Sequence, residues 1–465
     1  MKLVIKFDGC SISKSENINK ICLYLKQLSI TNEIVVVCSA INKTTDDLMK
    51  IAKFVETKDK KTINSLISRI IKNHKQIAVR SIDKLTIRNK LIKKLDSDFD
   101  DLKEFLAGAL IIGEITSRSL DYLISFGEKL SINIISHVLL NLNCMSFPLT
   151  GKEVGIITDS NFGESKLLID TTTINVSRTI NSLLDRKLLP IVGGFVGADQ
   201  YGHITTFGRR GSDYTATIIA SCIRADEIWI MGSTDGLMTA DPRITHNARV
   251  LKEVSYAEAS EMNIFGIQQI HPRAFEPLLK DQIPMRIRNA LNTQHTGTYI
   301  SASTRSNINK PVKCINAIKH NGLIDIRGSM IGLQGTAAKI FSTLANAGVN
   351  VMMISQNPSE SSISIVVQKM DLDKAVNSLE INLLGKLVKK IDVTTDVSII
   401  ALIGSGMRGT IGIASKVFNI ISKNNVNVVM IVQGSSELNL SFIIRDTDCD
   451  SVVKSLHDEL NLSIQ

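Results

Sequence analysis

Gly208-Arg209-Arg210-Gly211-Ser212-Asp213-Tyr214-Thr215-Ala216-Thr217 is the stretch from which the rest of the chain can be read. Two glycines, two guanidinium groups, a hydroxyl and a carboxylate lead into the apolar Ile218, Ile219 and Ala220 of a helical pattern. Backbone N–H groups at such a loop-to-helix junction lack intrahelical acceptors, and the helix dipole favours an anion there. A neighbouring Arg adds a planar fork that grips a carboxylate or phosphate in two places. Taken alone, the stretch fits an ordinary glycine turn beside a surface Arg equally well, because short Gly motifs recur by chance. Its flanks decide between these.

Upstream and downstream, strands alternate with helices. Leu3-Val4-Ile5-Lys6-Phe7 is a β-branched run broken by Asp8-Gly9-Cys10-Ser11, and Glu33–Cys38 is a second strand ending at Ser39-Ala40. Leu189–Gly193, His203–Thr206, Glu227–Met231, Pro284–Arg288 and Gly297–Ile300 read as further strands, as does Glu153–Thr158. This alternation predicts a mostly parallel sheet, whose ligands bind beyond the carboxyl ends of the strands. The loops Lys6–Ser11 and Ser39–Thr45 lie at such ends. Residues 61 to 140 are helical by period, with Ser125–Leu130 putting Glu128 at a turn or helix start. A helix is expected over Tyr256–Ile264, and Ser301–Lys310 reads as a linker.

The 465 residues suffice for about three domains of ~150 residues. A hydrophobic content of 44% with few aromatics fits an α/β protein with aliphatic cores. The net charge of +9 is spread along the chain and suits anionic small molecules. Its two locally basic stretches, Lys58–Lys61 and Arg88–Lys94, lack interleaved aromatics, so they read as solvated helix faces and nucleic-acid binding is not expected. The seven cysteines form no C-x-x-C pair and read as reduced thiols. Neither a signal peptide nor a long apolar span is evident, so a cytoplasmic protein without a membrane partner is expected.

Beyond the linker the chain repeats itself. Gly335-Thr336-Ala337-Ala338-Lys339-Ile340-Phe341 resembles Gly412-Ile413-Ala414-Ser415-Lys416-Val417-Phe418, and Val349-Asn350-Val351-Met352-Met353-Ile354 resembles Val426-Asn427-Val428-Val429-Met430-Ile431, 77 residues later in both cases (412 against 335, 426 against 349). Each copy reads strand, Gly-rich turn, helix, strand, Ser-rich turn, strand, helix, which is a ferredoxin-like pattern with helices on one face.

Six motifs occur in the order found in one family: Lys6-Phe7-x-Gly9, Ser39 with Thr45, Phe126-Gly127-Glu128, the stretch at 208–216, Thr239-Ala240-Asp241-Pro242-Arg243, and His271-Pro272-Arg273. With the tandem repeat, they resemble the aspartokinases of the amino-acid kinase family, whose paired ACT domains bind regulatory amino acids. The resemblance implies a three-layer αβα sandwich with a mostly parallel sheet over residues 1–303, and two ACT regions over 314–390 and 391–465. It implies transfer of the γ-phosphoryl of ATP, with Mg²⁺, to the side-chain carboxylate of L-aspartate, the entry to lysine, threonine and methionine synthesis. Lys6 would serve the phosphates, held by Asp213. Arg209 would clamp the substrate α-carboxylate, Glu128 would receive its ammonium, and Ser39, Thr45 and Ser212 would donate hydrogen bonds to it. Gly9, Ser233, Asp235, Met238, Asp241, Arg243 and Gln268 would form the nucleotide side. His271 is expected to cap backbone. An effector, lysine or threonine, would meet Gly332, Gln334, Asn350, Met353, Gln356, Asn427 and Gln433, with the chain paired into a homodimer or larger homo-oligomer through its ACT domains.

The sequence departs from the family at Asp8, Lys43 and Arg210, where glycine is usual, at Ser233, which replaces an Asp, and at Gln268, which replaces a phosphate-binding Lys. Losing that cation would weaken transition-state stabilisation by ~3 kcal/mol, the usual effect of one donor. Charge from Arg210 or Lys43 would compensate, and Asp8 would help hold Mg²⁺. The competing reading is a weakened homologue acting as an amino-acid-binding regulatory subunit.

Overall fold

The computed structural model describes residues 1–208, 210–265, 270–302, 310–328, 334–356 and 362–464. They gather into two compact units, Met1–Leu237 with Lys252–Tyr256 and Gln269–Ser303, and Met238–Leu251 with Ala257–Gln268 and Thr304–Gln465. The division does not follow the 1–303 boundary, because two segments within that span cluster with the C-terminal residues.

The first unit carries strands β1 (Lys2–Phe7), β2 (Glu33–Cys38), β3 (Ser146–Leu149), β4 (Ile157–Thr158), β5 (Leu189–Gly193), β6 (Val196–Asp199), β7 (Ile204–Thr206), β8 (Glu227–Gly232), β9 (Glu253–Ser255), β10 (Met285–Asn289) and β11 (Thr298–Ser301). Eight form one sheet in the order β3-β5-β2-β1-β8-β10-β11-β9, and β4, β6 and β7 form a small second sheet. In the large sheet every pairing is parallel except β10 with β11. Helices α1 (Ser15–Leu28), α2 (Thr44–Glu56), α3 (Lys60–Ser81), α4 (Leu85–Ile112), α5 (Ser117–Asn141), α6 (Gly151–Val154), α7 (Ile169–Asp185) and α8 (Gly211–Ile223) complete it, with α9 (Tyr256–Ile264) leading out and α10 (Glu276–Asp281) returning. This is the three-layer αβα architecture with a mostly parallel sheet.

Two local expectations fail. Glu128 lies in the middle of α5, not at a turn, because Gly127 serves close packing: a Cβ there would stand 2.7 Å from the Cβ of Ala40. Glu153 lies in α6, where Thr150 and Glu153 cap each other's backbone reciprocally, so only Ile157–Thr158 of the expected strand is extended. α5 is long and apolar enough to cross a membrane by composition, yet 78% of its most apolar window is buried inside the protein.

The second unit holds a six-stranded antiparallel sheet built from β12 (Cys314–Arg327), β13 (Val351–Gln356), β14 (Ser362–Gln368), β15 (Lys390–Ile403), β16 (Met430–Val432) and β17 (Asn439–Arg445), in the order β13-β14-β12-β15-β17-β16. Helices α11 (Thr336–Asn346) and α12 (Lys369–Leu383) belong to the first repeat, α13 (Ile413–Lys423) and α14 (Cys449–Glu459) to the second. The repeat shows in the backbone: α11 and α13 both begin after a left-handed glycine, Gly335 at φ 85° and Gly412 at φ 88°. The repeats share their long strands. Ile324 and Ile326 of β12 pack with the first repeat's helices, whereas Ile315, earlier in the same strand, packs with α13, α14 and Phe442. The change of core falls at a register shift around Asn321, whose buried amide donates to Ile318 O (2.7 Å) and Val397 O (3.3 Å), so the interrupted ladder leaves those carbonyls paired.

Candidate active site

The site begins with the alternation of β1. Leu3, Ile5 and Phe7 enter the core shared with α1, α2 and α5, so Val4 and Lys6 point to the other face. Lys6 sits in register with Val37 and Ile230 of the neighbouring strands, near the carboxyl edge of the sheet. Its Nζ lies 2.6 Å from Asp213 Oδ1, in the first turn of α8. Lys6 is 7% exposed and Asp213 1%. Asp213 Oδ2 accepts the backbone N–H of His271 (3.1 Å). His271 caps the turn Pro272–Phe275 as expected, its Nδ1 accepting from Arg273 N (3.1 Å), and it stacks on Tyr214.

The β1 turn is pressed against the β2 turn. A Cβ on Gly9 would stand 2.2 Å from Ala40 O, so only glycine fits there. Gly9 O accepts from Asn42 N (2.9 Å), and Ser39 N donates to Phe7 O (3.2 Å). Asp8, the carboxylate that intrudes into this turn, accepts from Ser11 N through Oδ1 (2.7 Å). Ser212 is buried against Gly194, whose N–H donates to Cys38 O (2.9 Å), which ties the opening stretch to the end of β2.

Glu128 is the most telling residue. It is 4% exposed; Oε1 accepts from Ala40 N (2.9 Å), and Oε2 is buried without a hydrogen-bond partner. Burial pushes its carboxyl well above the usual range, against the pull of the Ala40 N–H. A cation delivered to Oε2 would restore the ionised form. Thr45 is half-buried beside Gly127, one residue before Glu128 in α5. Lys6, Gly9, Ser39, Thr45, Glu128, Ser212 and Asp213 therefore all stand at the β1, β2 and β5 ends of one sheet.

The nucleotide-side candidates divide between the units. In the first, Ser233 is exposed and Asp235 Oδ1 accepts from Asn289 Nδ2 (2.9 Å) and Asn292 Nδ2 (3.2 Å). Sequence reasoning passed over both asparagines, since no pattern links them to Asp235 across more than fifty positions. In the second unit, Met238 packs beside the core of the second repeat. Arg243 lies 2.6 Å from Asp241 in an ion pair, with 88% of its side chain exposed. Arg209, Gln268 and Gly332 lie outside the described residues. Of the effector candidates, Gln334, Asn350, Gln356, Asn427 and Gln433 are exposed, whereas Met353 is buried in a cluster with Leu323, Val366 and Met430. Arg210 adopts φ 62°, the left-handed conformation that glycine takes without strain.

The family model described as amino acid kinase family matches residues 1–289, and the ACT domain model matches 324–383 and 400–460. Chloroplastic aspartokinase 2 of Arabidopsis thaliana is 32% identical over 467 residues, which cover 98% of this chain and 83% of that protein. The chloroplastic bifunctional aspartokinase/homoserine dehydrogenase 1 of the same plant is 31% identical over 99% of this chain but 51% of its own, so the chain spans about half the length of such relatives. Among solved structures, E. coli aspartokinase III in complex with aspartate and ADP shares the fold with a TM-score of 0.83 at 23% identity, covering 99% of this chain and 100% of that one. Its complex with lysine and aspartate gives 0.82 at 24%, covering 98% and 99%. With both its kinase span and its tandem repeat matched, the chain belongs to the aspartokinase family.

Proposed function

We propose that the protein is an aspartate kinase, transferring the γ-phosphoryl of ATP to the side-chain carboxylate of L-aspartate to give 4-phospho-L-aspartate. The observation that carries this reading is the buried Lys6–Asp213 pair, at the same end of the sheet as a buried glutamate, Glu128, with one unpartnered oxygen. The nucleophile is ionised at neutral pH, its reference pKa being about 3.9, so no general base is required. The work left for the protein is alignment of two anions and neutralisation of their charge.

Each residue has a task in that scheme. Asp213 holds the Lys6 ammonium at the strand end, where it neutralises phosphoryl charge. Glu128 Oε2 receives the substrate ammonium, Arg209 its α-carboxylate, and Ser39, Thr45 and Ser212 donate hydrogen bonds to it. Ser233, Asp235, Met238, Asp241 and Arg243 serve the nucleotide, Gln268 contributing no charge. Mg²⁺ would arrive on the nucleotide phosphates and supply Lewis-acid neutralisation. Asp8 suits it as a hard oxygen ligand, and no cluster of three His, Cys, Asp or Glu is needed or found among the described residues. Aspartate, ADP and lysine complexes of E. coli aspartokinase III support the substrates and an amino-acid effector, here lysine or threonine, acting on a homo-oligomer paired through ACT domains.

A coupled assay with ATP, Mg²⁺ and aspartate, with Lys6→Ala as control, tests the reaction. Phosphoaspartate well above the control is expected; none would refute the kinase and leave a regulatory subunit. Thermal-shift titration with lysine and threonine tests the effector: a rise with one is expected, and none with either counts against regulation.

A further inference from the structure

Residues 238–251 lie within the kinase span by sequence, yet they pack with the second repeat. Ala240 and Ala248 join the cluster formed by Ile315, Phe442, Val453 and Leu456. Between them the chain turns through Asp241-Pro242-Arg243, where Asp241 accepts from the Arg243 backbone (2.8 Å) and guanidinium (2.6 Å). The start of that turn is fixed by Thr239. Its N–H donates to Arg249 O (2.9 Å), and its carbonyl accepts from Ile315 N (2.8 Å). Its Oγ1 accepts from Arg249 N (3.0 Å).

The same hydroxyl is hydrogen-bonded to His457 Nε2, 2.9 Å away on α14. Both residues are fully buried, and 218 positions of sequence separate them. A second tie has the same sense. Glu258 of α9, the helix that leads toward Gln268, is fully buried; it pairs with Lys313 (2.8 Å) and accepts from Ser405 N (2.7 Å). Lys313 precedes β12 and Ser405 follows β15, so both flank the strand ends that pack into the second repeat's core.

We infer that His457 is a positioning residue for nucleotide: through its hydrogen bond with the Thr239 hydroxyl it holds the turn that presents Asp241 and Arg243, so that the last ACT helix sets ATP affinity. The inference rests on the assignment of that turn to ATP under the proposed function. A buried hydrogen bond of this kind could serve stability alone, and the two roles separate by readout. Stability alone predicts equal effects on both substrates in folded protein, whereas positioning predicts a loss confined to nucleotide.

The test uses the full chain, with ADP binding measured by titration calorimetry and KM measured for ATP and for aspartate. His457→Leu and Thr239→Val should each weaken ADP by about tenfold, the scale of one buried hydrogen bond. The double variant should lose little more than either single one, since both remove the same bond. His457→Gln, whose amide nitrogen or oxygen can reach the Nε2 position, should restore affinity to within about twofold on the same scale. KM for aspartate should stay unchanged throughout. Unchanged ADP affinity in folded His457→Leu, or equal losses for ADP and aspartate, would overturn the inference. Should His457→Leu fail to fold, Thr239→Val carries the same comparison. A wild-type chain that binds ADP without turnover refutes the proposed reaction while the ADP ratios still decide this point; one that binds no ADP overturns it.

Discussion

The aspartate side and the nucleotide side of the proposed reaction are built in opposite ways. Lys6, Glu128, Ser212 and Asp213 are all buried, held at the ends of parallel strands by backbone and ion-pair contacts. Asp241 and Arg243 sit on a turn, with the guanidinium almost fully in water and anchored by its neighbour. On the buried side the Lys6–Asp213 pair is fixed before substrate arrives, which is what phosphoryl transfer asks of the residues nearest the reacting atoms. The exposed side belongs to the unit that carries the tandem repeat. A mutation on the first side should therefore show in folding and turnover together, and one on the second in nucleotide affinity with little effect on folding.

Lys6→Ala should give the largest effect. It should lower kcat by at least about 10³-fold, the upper range for one charge-stabilising group, because nothing else among the described residues stands on Asp213 Oδ1. It should also cost about 3–5 kcal/mol of stability, since it strands a buried carboxylate. Steady-state kinetics and denaturant unfolding of the same preparation check both parts. A variant that loses turnover with stability intact would break the contrast between the sides.

Glu128→Gln should raise KM for aspartate by about a hundredfold, the scale of losing one partner of a buried charge pair. Its effect on stability has the opposite sign. Because burial raises the folded-state pKa above the ordinary 4.5, folding favours the protonated form. Below 4.5 both folded and unfolded chains are protonated and the carboxyl costs nothing; as pH rises, the cost grows until the folded pKa is passed. Glu128→Gln should thus melt higher than wild type at neutral pH, the gap closing as pH falls toward 4.5, as scanning calorimetry across pH would show. Wild-type affinity for aspartate should rise with pH over the range in which Glu128 ionises.

How much of this was legible differs element by element. The strands β1, β2, β5 and β8 were readable because each is a short apolar run whose β-branched or aromatic residues fit a doubly buried sheet. The 77-residue repeat exposed the paired ferredoxin-like fold, for it needs only self-comparison of positions 335 and 412. Gly127 misled, since a glycine that permits helix-to-loop contact looks in sequence like one that ends a helix. Lys6, Asp213 and Glu128 were found through family motifs; period and composition place Lys6 at a strand end but supply no partner. The Thr239–His457 bond was out of reach, because a buried threonine and a histidine 218 positions apart carry no local pattern. The same holds for the sharing of long strands between the repeats, which changes core at the register shifts on either side of Asn321.

Arg243→Ala sharpens the comparison from the other side. The guanidinium is 88% exposed and its partner is two residues away, so thermal stability should be unchanged. ADP affinity should fall by about tenfold, the scale of one charge-assisted contact to phosphate. Titration calorimetry with ADP and a melting curve decide it: a large drop in melting temperature would mean that the turn is as structural as the buried side.

The smallest effect is expected at Arg210. Its backbone lies at φ 62°, a conformation costing an L-residue about 1–2 kcal/mol that glycine adopts freely. Glycine also loses more chain entropy on folding, which offsets part of the gain. Arg210→Gly should therefore stabilise the protein by about 0.5–1 kcal/mol, read as a rise in melting temperature. If Arg210 is retained merely because its strain is tolerated, turnover will follow stability and stay level. If its charge replaces the one absent at Gln268, kcat should fall by about tenfold or more despite the better backbone, and Arg210→Lys should recover part of it. A stabilised variant with reduced kcat is the outcome that strain alone cannot produce, and it would make the anion-binding turn at the start of α8 part of the charge supply for phosphoryl transfer as well as the aspartate clamp.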